Sequence, residues 1–349
     1  MGVLPVRIKG RGAERAFGPV RRAGITFLLG LLPLFFILGS FHFGRMGLSL
    51  SEVWASLFGG EVSETVRALV LRVRLPRIIA ASLVGVNLAV SGAAFQGIFR
   101  NPLVESRILG VSAGAAFGAA LAMVLQSGPA GIQILAFLGG LLAAGLAILL
   151  GTAFGGGILV LVLSGVLVSS FFSSLVSLVK YFADPYVQLP GITFWLMGGI
   201  STVLWHDVLP LAVASFLGVA GLFLLRWRLN LLTLSEAEAQ ALGLHVRRLR
   251  FLVIALGTLL TAAAVSVSGV VGWVGLIVPH AARALVGPDH LFLIPASAGL
   301  GAAVLLLFDN IARTALPTEI PLDILTGLIG VPVFFALFMR QIRRGGGWK

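Results

Sequence analysis

Three groups of residues have types and spacings that suit chemistry in a chain whose mean hydropathy is +1.06. The first is the polar stretch Ser235-Glu236-Ala237-Glu238-Ala239-Gln240-Ala241-Leu242-Gly243, set between two long apolar runs. Ser235 and Glu238 have the S-x-x-E spacing of a capping box, in which hydroxyl and carboxylate satisfy the free amides of a starting helix. Gly243 supplies the stop. A helix of about two turns does not hold itself in water, so this one must pack on something, and Arg247, Arg248 and Arg250 then hold the next apolar run at the membrane face. The second group is Asp309, an ionisable residue inside an apolar run, where burial costs several kcal/mol unless a partner is near. Arg313 stands one helical turn later and makes a structural ion pair the favoured reading, with proton or ion coupling as the other. The third is the face Gly165, Ser169, Ser173 and Ser177, with Ser170 and Ser174 beside it. Hydroxyls there either bond back to their own helix carbonyls or line a wet path for a polar solute, and their number on one flank favours the path.

The sequence excludes several other kinds of chemistry. It contains no cysteine and only five scattered histidines, so neither a thiolate nucleophile nor a metal site is expected. It lacks a G-x-x-x-x-G-K-[ST] phosphate loop, so any nucleotide hydrolysis must belong to another chain. The net charge of +12 comes from cations flanking apolar runs rather than from a patch with interleaved aromatics, which argues against nucleic acid.

The elements that must position these groups are membrane helices. With 58% of 349 residues hydrophobic and 11% charged, the chain has more apolar surface than a soluble core of this length encloses. Apolar windows predict ten spans, near 24–43, 76–99, 108–126, 132–154, 157–181, 206–226, 251–269, 272–287, 291–312 and 322–340. The shorter run 189–200 follows Pro185 and Pro190 and is expected to be interfacial or re-entrant. The first span follows six cations like a signal peptide, but it is long and lacks a small-x-small cleavage site, so it is read as retained. Most of the 25 Lys and Arg fall on one side if both termini are cytoplasmic. The expected organisation is a basic tail, 1–23, and one transmembrane domain, 24–349, with a cytoplasmic segment at 234–246 that transmits a push from a soluble partner.

Ser-Gly-x9-Pro-x7-Gly occurs twice, at Ser91 to Gly110 and at Ser268 to Gly287, 177 positions apart. On the predicted spans the copies are offset by five crossings, so they run in opposite directions, which is the signature of inverted repeats in transporters. Stripes of small residues, Gly85-Ala89-Ala93-Gly97 and Gly110-Gly114-Gly118, predict close helix crossings.

Together these motifs resemble the FecCD-type permeases of ATP-binding-cassette importers for iron-siderophores, haem and cobalamin. Leu234-Ser235-Glu236, Ala239 and Leu242-Gly243 are similar to the family's coupling segment, and Arg74-Leu75-Pro76-Arg77 to its entry into the second span. Gly92 to Gln96, Arg100-Asn101-Pro102-Leu103 and Leu109 to Ala115 resemble its N-terminal signature. Val274 to His280 with Arg283, Asp309 with Ala312-Arg313, Glu319-Ile320-Pro321 and Gly330 to Phe334 resemble its C-terminal half. The resemblance implies an all-α type II importer permease fold of about ten helices, in a bacterial or archaeal cytoplasmic membrane.

It also implies site roles and partners. Ser235, Glu236, Glu238, Ala239, Leu242 and Gly243 would couple to a separate ATPase, and Arg74 and Arg313 would meet carboxylates of an extracytoplasmic binding protein. Gln96, Arg100, Asn101, Pro102, Pro279, His280, Arg283 and Asp309 would be structural, with Asp309 orienting Arg313. The implied assembly is two permeases, identical or homologous, on two ATPases. No cofactor is expected on this chain, with ATP and Mg on the ATPase, so the chain itself is not expected to be an enzyme. Ser106 and Arg107 depart from the family's proline after Asn-Pro-Leu, and Asp323 from its glycine after Glu-x-Pro. The expected solute is a metal chelate. An oxyanion such as molybdate is the alternative within the class, and outside it stand an ion-coupled secondary transporter and a structural subunit. A serine-lined path without buried charge suits a bulky chelate.

Overall fold

The computed structural model describes residues 18–44, 46–234 and 236–343, with side chains as far as residue 339. The basic tail before residue 18 and Ser235 of the capping box lie outside the described residues. Every regular element among those described is helical: α1 Pro19–His42, α2 Leu50–Phe58, α3 Glu64–Ile98, α4 Val111–Val124, α5 Gly128–Ala153, α6 Ile158–Phe182 and α7 Gln188–Leu196. After them come α8 Trp205–Leu232, α9 Glu236–Ala241, α10 Val246–Ser268, α11 Val274–Val286, α12 His290–Thr314 and α13 Leu322–Arg343. Eight of these are long and apolar enough to cross a membrane, and α4 and α11 are shorter apolar helices. These ten helices lie at the ten predicted spans, but α4 and α11, with 14 and 13 residues, are shorter than a full crossing. The run at 189–200 becomes the nine-residue α7, too short to cross.

Helices α3, α10 and α12 form the centre. Buried residues make up 78% of the apolar window of α3 but 28% of that of α6, which leaves a long face of α6 open. Close approach at the centre depends on glycine. A Cβ on Gly85 of α3 would fall 2.2 Å from the Gly301 carbonyl oxygen of α12, and one on Gly114 of α4 2.2 Å from that of Gly139 on α5. The small-residue stripes are therefore packing surfaces that bring backbones into contact.

The bundle has two ends. At one, Trp205 donates to the Leu71 carbonyl (2.8 Å), Gly199 N to Ser268 O (2.8 Å) and Leu322 N to Gly198 O (3.0 Å), tying α7 and the turns beside it to the ends of α3, α10 and α13. The other end carries α9.

Helix lengths repeat: α3 to α6 run long, short, long, long, and so do α10 to α13. In each half the short helix follows a segment that turns back into the bundle, 99–110 before α4 and 269–273 before α11. The equivalence holds at the level of whole helices, not of the 177-residue register. Gly92 lies inside α3 while Gly269 follows the end of α10 with φ +64°, and Pro102 lies in a turn while Pro279 is inside α11. Val274 opening α11 corresponds to Val111 opening α4, 163 positions earlier. The two copies of the Ser-Gly-Pro-Gly match thus occupy different places on their helices.

Candidate functional site

At its end of the bundle, α9 has one buried residue, Ala239, 1% exposed, while Glu236, Glu238 and Leu242 face outward. Gly243 adopts φ +79°, and its N–H bonds Gln240 O (2.8 Å) while Leu244 N bonds Ala239 O (3.2 Å), the paired bonds of a Schellman stop. The Gly243 stop read from sequence is thus present. The helix is steadied from the 99–110 segment: the Arg100 guanidinium donates to Leu232 O at 3.2 Å and also to Leu234 O, at the end of α8. Arg100 itself stands at φ +48°, and Asn101 Oδ1 accepts from Leu103 N (2.9 Å), so Asn101 and Pro102 form the turn that sends the chain back into the bundle.

Deeper in, Gln96 is a junction between the halves. Its amide donates to Val104 O and Leu276 O, both 3.3 Å, and its Oε1 accepts from Arg283 at 3.0 Å. His280, preceded by Pro279, is buried against the Phe334 ring, with centroids 5.4 Å apart.

The two re-entrant segments meet midway. Glu105 accepts the Trp273 N–H (2.8 Å) on one oxygen and Arg107 Nη2 (2.8 Å) on the other, while Asp323 accepts the Gly272 N–H (2.9 Å). Trp273 holds φ +68°, a conformation a bulky residue keeps only when its surroundings dictate it. Arg107 and Asp323, noted in the sequence only as departures from a motif, both flank Gly272: a Cβ there would meet Asp323 Oδ1 at 2.9 Å and Arg107 Nη2 at 3.2 Å.

Next to this junction lies a cavity of about 350 Å³ between α4, α6 and the end of α7, lined among others by Arg107, Ser112, Ser169 and Ser173. It opens on the exposed face of α6. Gly165 packs on the Ile108 carbonyl, where a Cβ would sit 2.1 Å away. Ser169 donates to Gly165 O (2.7 Å) and Ser177 to Ser173 O (3.0 Å), with Ser170 and Ser174 doing the same one turn along. Ser169 thus bonds back to its own helix and also borders the cavity, whereas Ser170, Ser174 and Ser177 bond back without lining it. Arg107 stands on the wall of the same cavity, with its side chain 33% exposed.

At the α7 end, burial rearranges the predicted ion pairs. Asp309, 1% exposed, is held by Arg77 through Nε (3.0 Å) and Nη2 (2.8 Å), and Arg77 also grips Glu319 with two bonds of 2.9 Å. Arg313 Nε stands 3.7 Å from Asp309, beyond a hydrogen bond. The hydrogen-bonding partner of Asp309 is therefore Arg77, 232 residues away, while the expected arginine one turn along keeps a longer ion pair with it. Arg74 and Arg313 are 4% and 5% exposed. Arg74 donates to Phe41 O and Met46 O, and Arg313 to Ser40 O (2.6 Å) and to Asn310. Expected to face a partner, both are turned inward and hold the end of α1 and the turn after it.

The family model for the FecCD transport family matches residues 31–340. The chain is 43% identical over 327 residues to the molybdate import system permease protein MolB of Haemophilus influenzae, covering 92% of this chain and 97% of that protein. It is 40% identical over 306 residues to an iron chelatin transport system permease protein of Helicobacter pylori, covering 85% and 93%. Its fold is similar to that of a solved metal-chelate-type ABC transporter in an inward-facing conformation, with a TM-score of 0.84 and 42% identity over 91% of this chain and 99% of the other.

Proposed function

The chain belongs to the FecCD transport family, and from that premise we propose that it is the membrane-spanning permease subunit of an ATP-driven importer. The α9 end faces the cytoplasm with both termini, and a separate ATPase carrying ATP and Mg docks on the outward side of α9. A second copy, or a homologous permease, covers the open face of α6, so that the Ser169–Ser173 cavity becomes part of a central path. The solute is a metal chelate or oxyanion delivered by a binding protein at the α7 end.

The observation that carries this reading is the mounting of α9. A two-turn helix rests on a single buried alanine and exposes two carboxylates and Leu242. Yet Arg100 ties its approach to the 99–110 segment that reaches the centre of the bundle. A push on α9 therefore has a bonded route to the junction of the two halves, as alternating access between two packings requires. Ion coupling finds little support, since Asp309 is already bonded by Arg77.

The test is to purify the tagged chain from its own membranes in mild detergent, identify co-purifying chains by mass spectrometry and measure uptake in vesicles. A stoichiometric ATPase lost on Leu242→Asp or Glu236→Lys supports the assignment. Solute uptake by the chain alone, without ATP, overturns it.

A further inference from the structure

The cavity beside the re-entrant junction is lined by one guanidinium and by hydroxyls, with no carboxylate among its lining side chains. Arg107 is its charged lining residue, and its side chain is 33% exposed. Among the described residues, one of its N–H groups is bonded, to Glu105, so most of the guanidinium fork remains open. The carboxylates nearby do not compete for the cavity. Glu105 and Asp323 are not among its lining residues, and each is held by an amide at the start of α11, Trp273 N for one and Gly272 N for the other. The positive end of a helix is where such charge is stabilised.

Two further features point the same way. The cavity is built on the first turns of α4, whose N-cap is Gly110, so a second positive helix end borders it. Ser112, in that first turn, is 7% exposed and its hydroxyl is buried with no hydrogen-bond partner. Leaving a buried hydroxyl unsatisfied costs about 1–3 kcal/mol, and a turn about χ1 that brought it to an acceptor in the cavity would remove that cost. Ser173 completes the wall from the exposed face of α6. A cation is repelled by a guanidinium and a helix N-terminus, and a neutral acceptor forms bonds with these donors roughly half as strong as those of anionic oxygen.

We propose that Arg107 and Ser112, with Ser169 and Ser173, form a contact station for a solute that presents anionic oxygen atoms, either an oxyanion or a chelate with outward carboxylates. The proposal rests on the importer reading and narrows its substrate class.

The experiment uses the complete transporter, with its ATPase and binding protein, in proteoliposomes, and follows ATP-dependent uptake of two anionic probes, molybdate and haemin, and one without outward anionic oxygens, cyanocobalamin. The expected result is uptake of at least one anionic probe, reduced tenfold or more at limiting solute by Arg107→Gln, less by Arg107→Lys and several-fold by Ser112→Ala. Density for a bound tungstate within hydrogen-bond reach of Arg107 in the nucleotide-free complex is the matching structural result. Because Arg107→Gln also frees Glu105, the double variant Arg107→Gln/Glu105→Gln separates loss of the cation from loss of the junction, and it is expected to remain as defective as the single one. No uptake of either anionic probe overturns the proposal, and so does an Arg107→Gln variant carrying such a probe within twofold of wild type. In both cases the importer reading stands if cyanocobalamin or another solute still moves with ATP. Uptake that persists without ATP overturns that reading instead.

Discussion

Replacing Arg77 tests the buried Arg77–Asp309 pair directly. In the native packing Asp309 is 1% exposed and receives two bonds from Arg77, at 3.0 and 2.8 Å. In Arg77→Met it keeps only the longer ion pair to Arg313 Nε at 3.7 Å, without a hydrogen bond. Removing one partner of a buried pair costs about 3–5 kcal/mol, because the other charge stays buried. At about 1.4 kcal/mol per decade, that is a hundredfold or greater fall in the folded-to-unfolded ratio. Asp309→Asn is the milder lesion. Arg77 keeps both bonds to Glu319, at 2.9 Å each, and the asparagine oxygen still accepts, so the loss is about 1–2 kcal/mol. The double variant Arg77→Met/Asp309→Leu recovers most of the single loss, since an apolar pair of similar volume is often neutral or stabilising in place of a buried ion pair. Reversible unfolding in detergent micelles measures all three, and the cycle gives the coupling energy. The reasoning fails if Arg77→Met lies within about 1 kcal/mol of wild type, or if Asp309→Asn is as damaging as Arg77→Met.

Two further predictions concern glycines. Gly114→Leu drives a side chain into the Gly139 carbonyl and is expected to cost about 1–3 kcal/mol or to abolish folding, whereas Gly145→Leu on α5, with open space around it, leaves the unfolding midpoint unchanged. Gly243→Ala meets nothing within 4 Å but must hold φ +79°, a local cost of about 1–2 kcal/mol. Hydrogen exchange should accelerate across 236–244 while the unfolding midpoint of the bundle stays within a degree or two.

Much of this fold was legible because membrane helices announce themselves locally. Length and apolarity alone mark the spans, and a nine-residue run such as α7 is too short whatever surrounds it. Gly243 as a helix stop and the common face of Ser169, Ser173 and Ser177 follow from backbone geometry and the helical period, which act within a few residues. Small residues four apart predict close crossings for the same reason, although the partners, Gly301 for Gly85 and Gly139 for Gly114, do not follow from the stripe.

What tertiary structure alone decided is who meets whom across the chain. The helical period offered Arg313 to Asp309, but packing of α3 on α12 delivers Arg77 from 232 residues away with better geometry. Burial turned Arg74 and Arg313 inward, because carbonyls at the end of α1 and in the turn after it lie within reach of their guanidinium groups. Arg107 showed in the sequence only as a departure from a motif. Its place in a hydroxyl-lined cavity arises where two re-entrant segments meet, and no local rule of spacing encodes that meeting, since it is set by backbones brought into contact at glycines far apart in the chain.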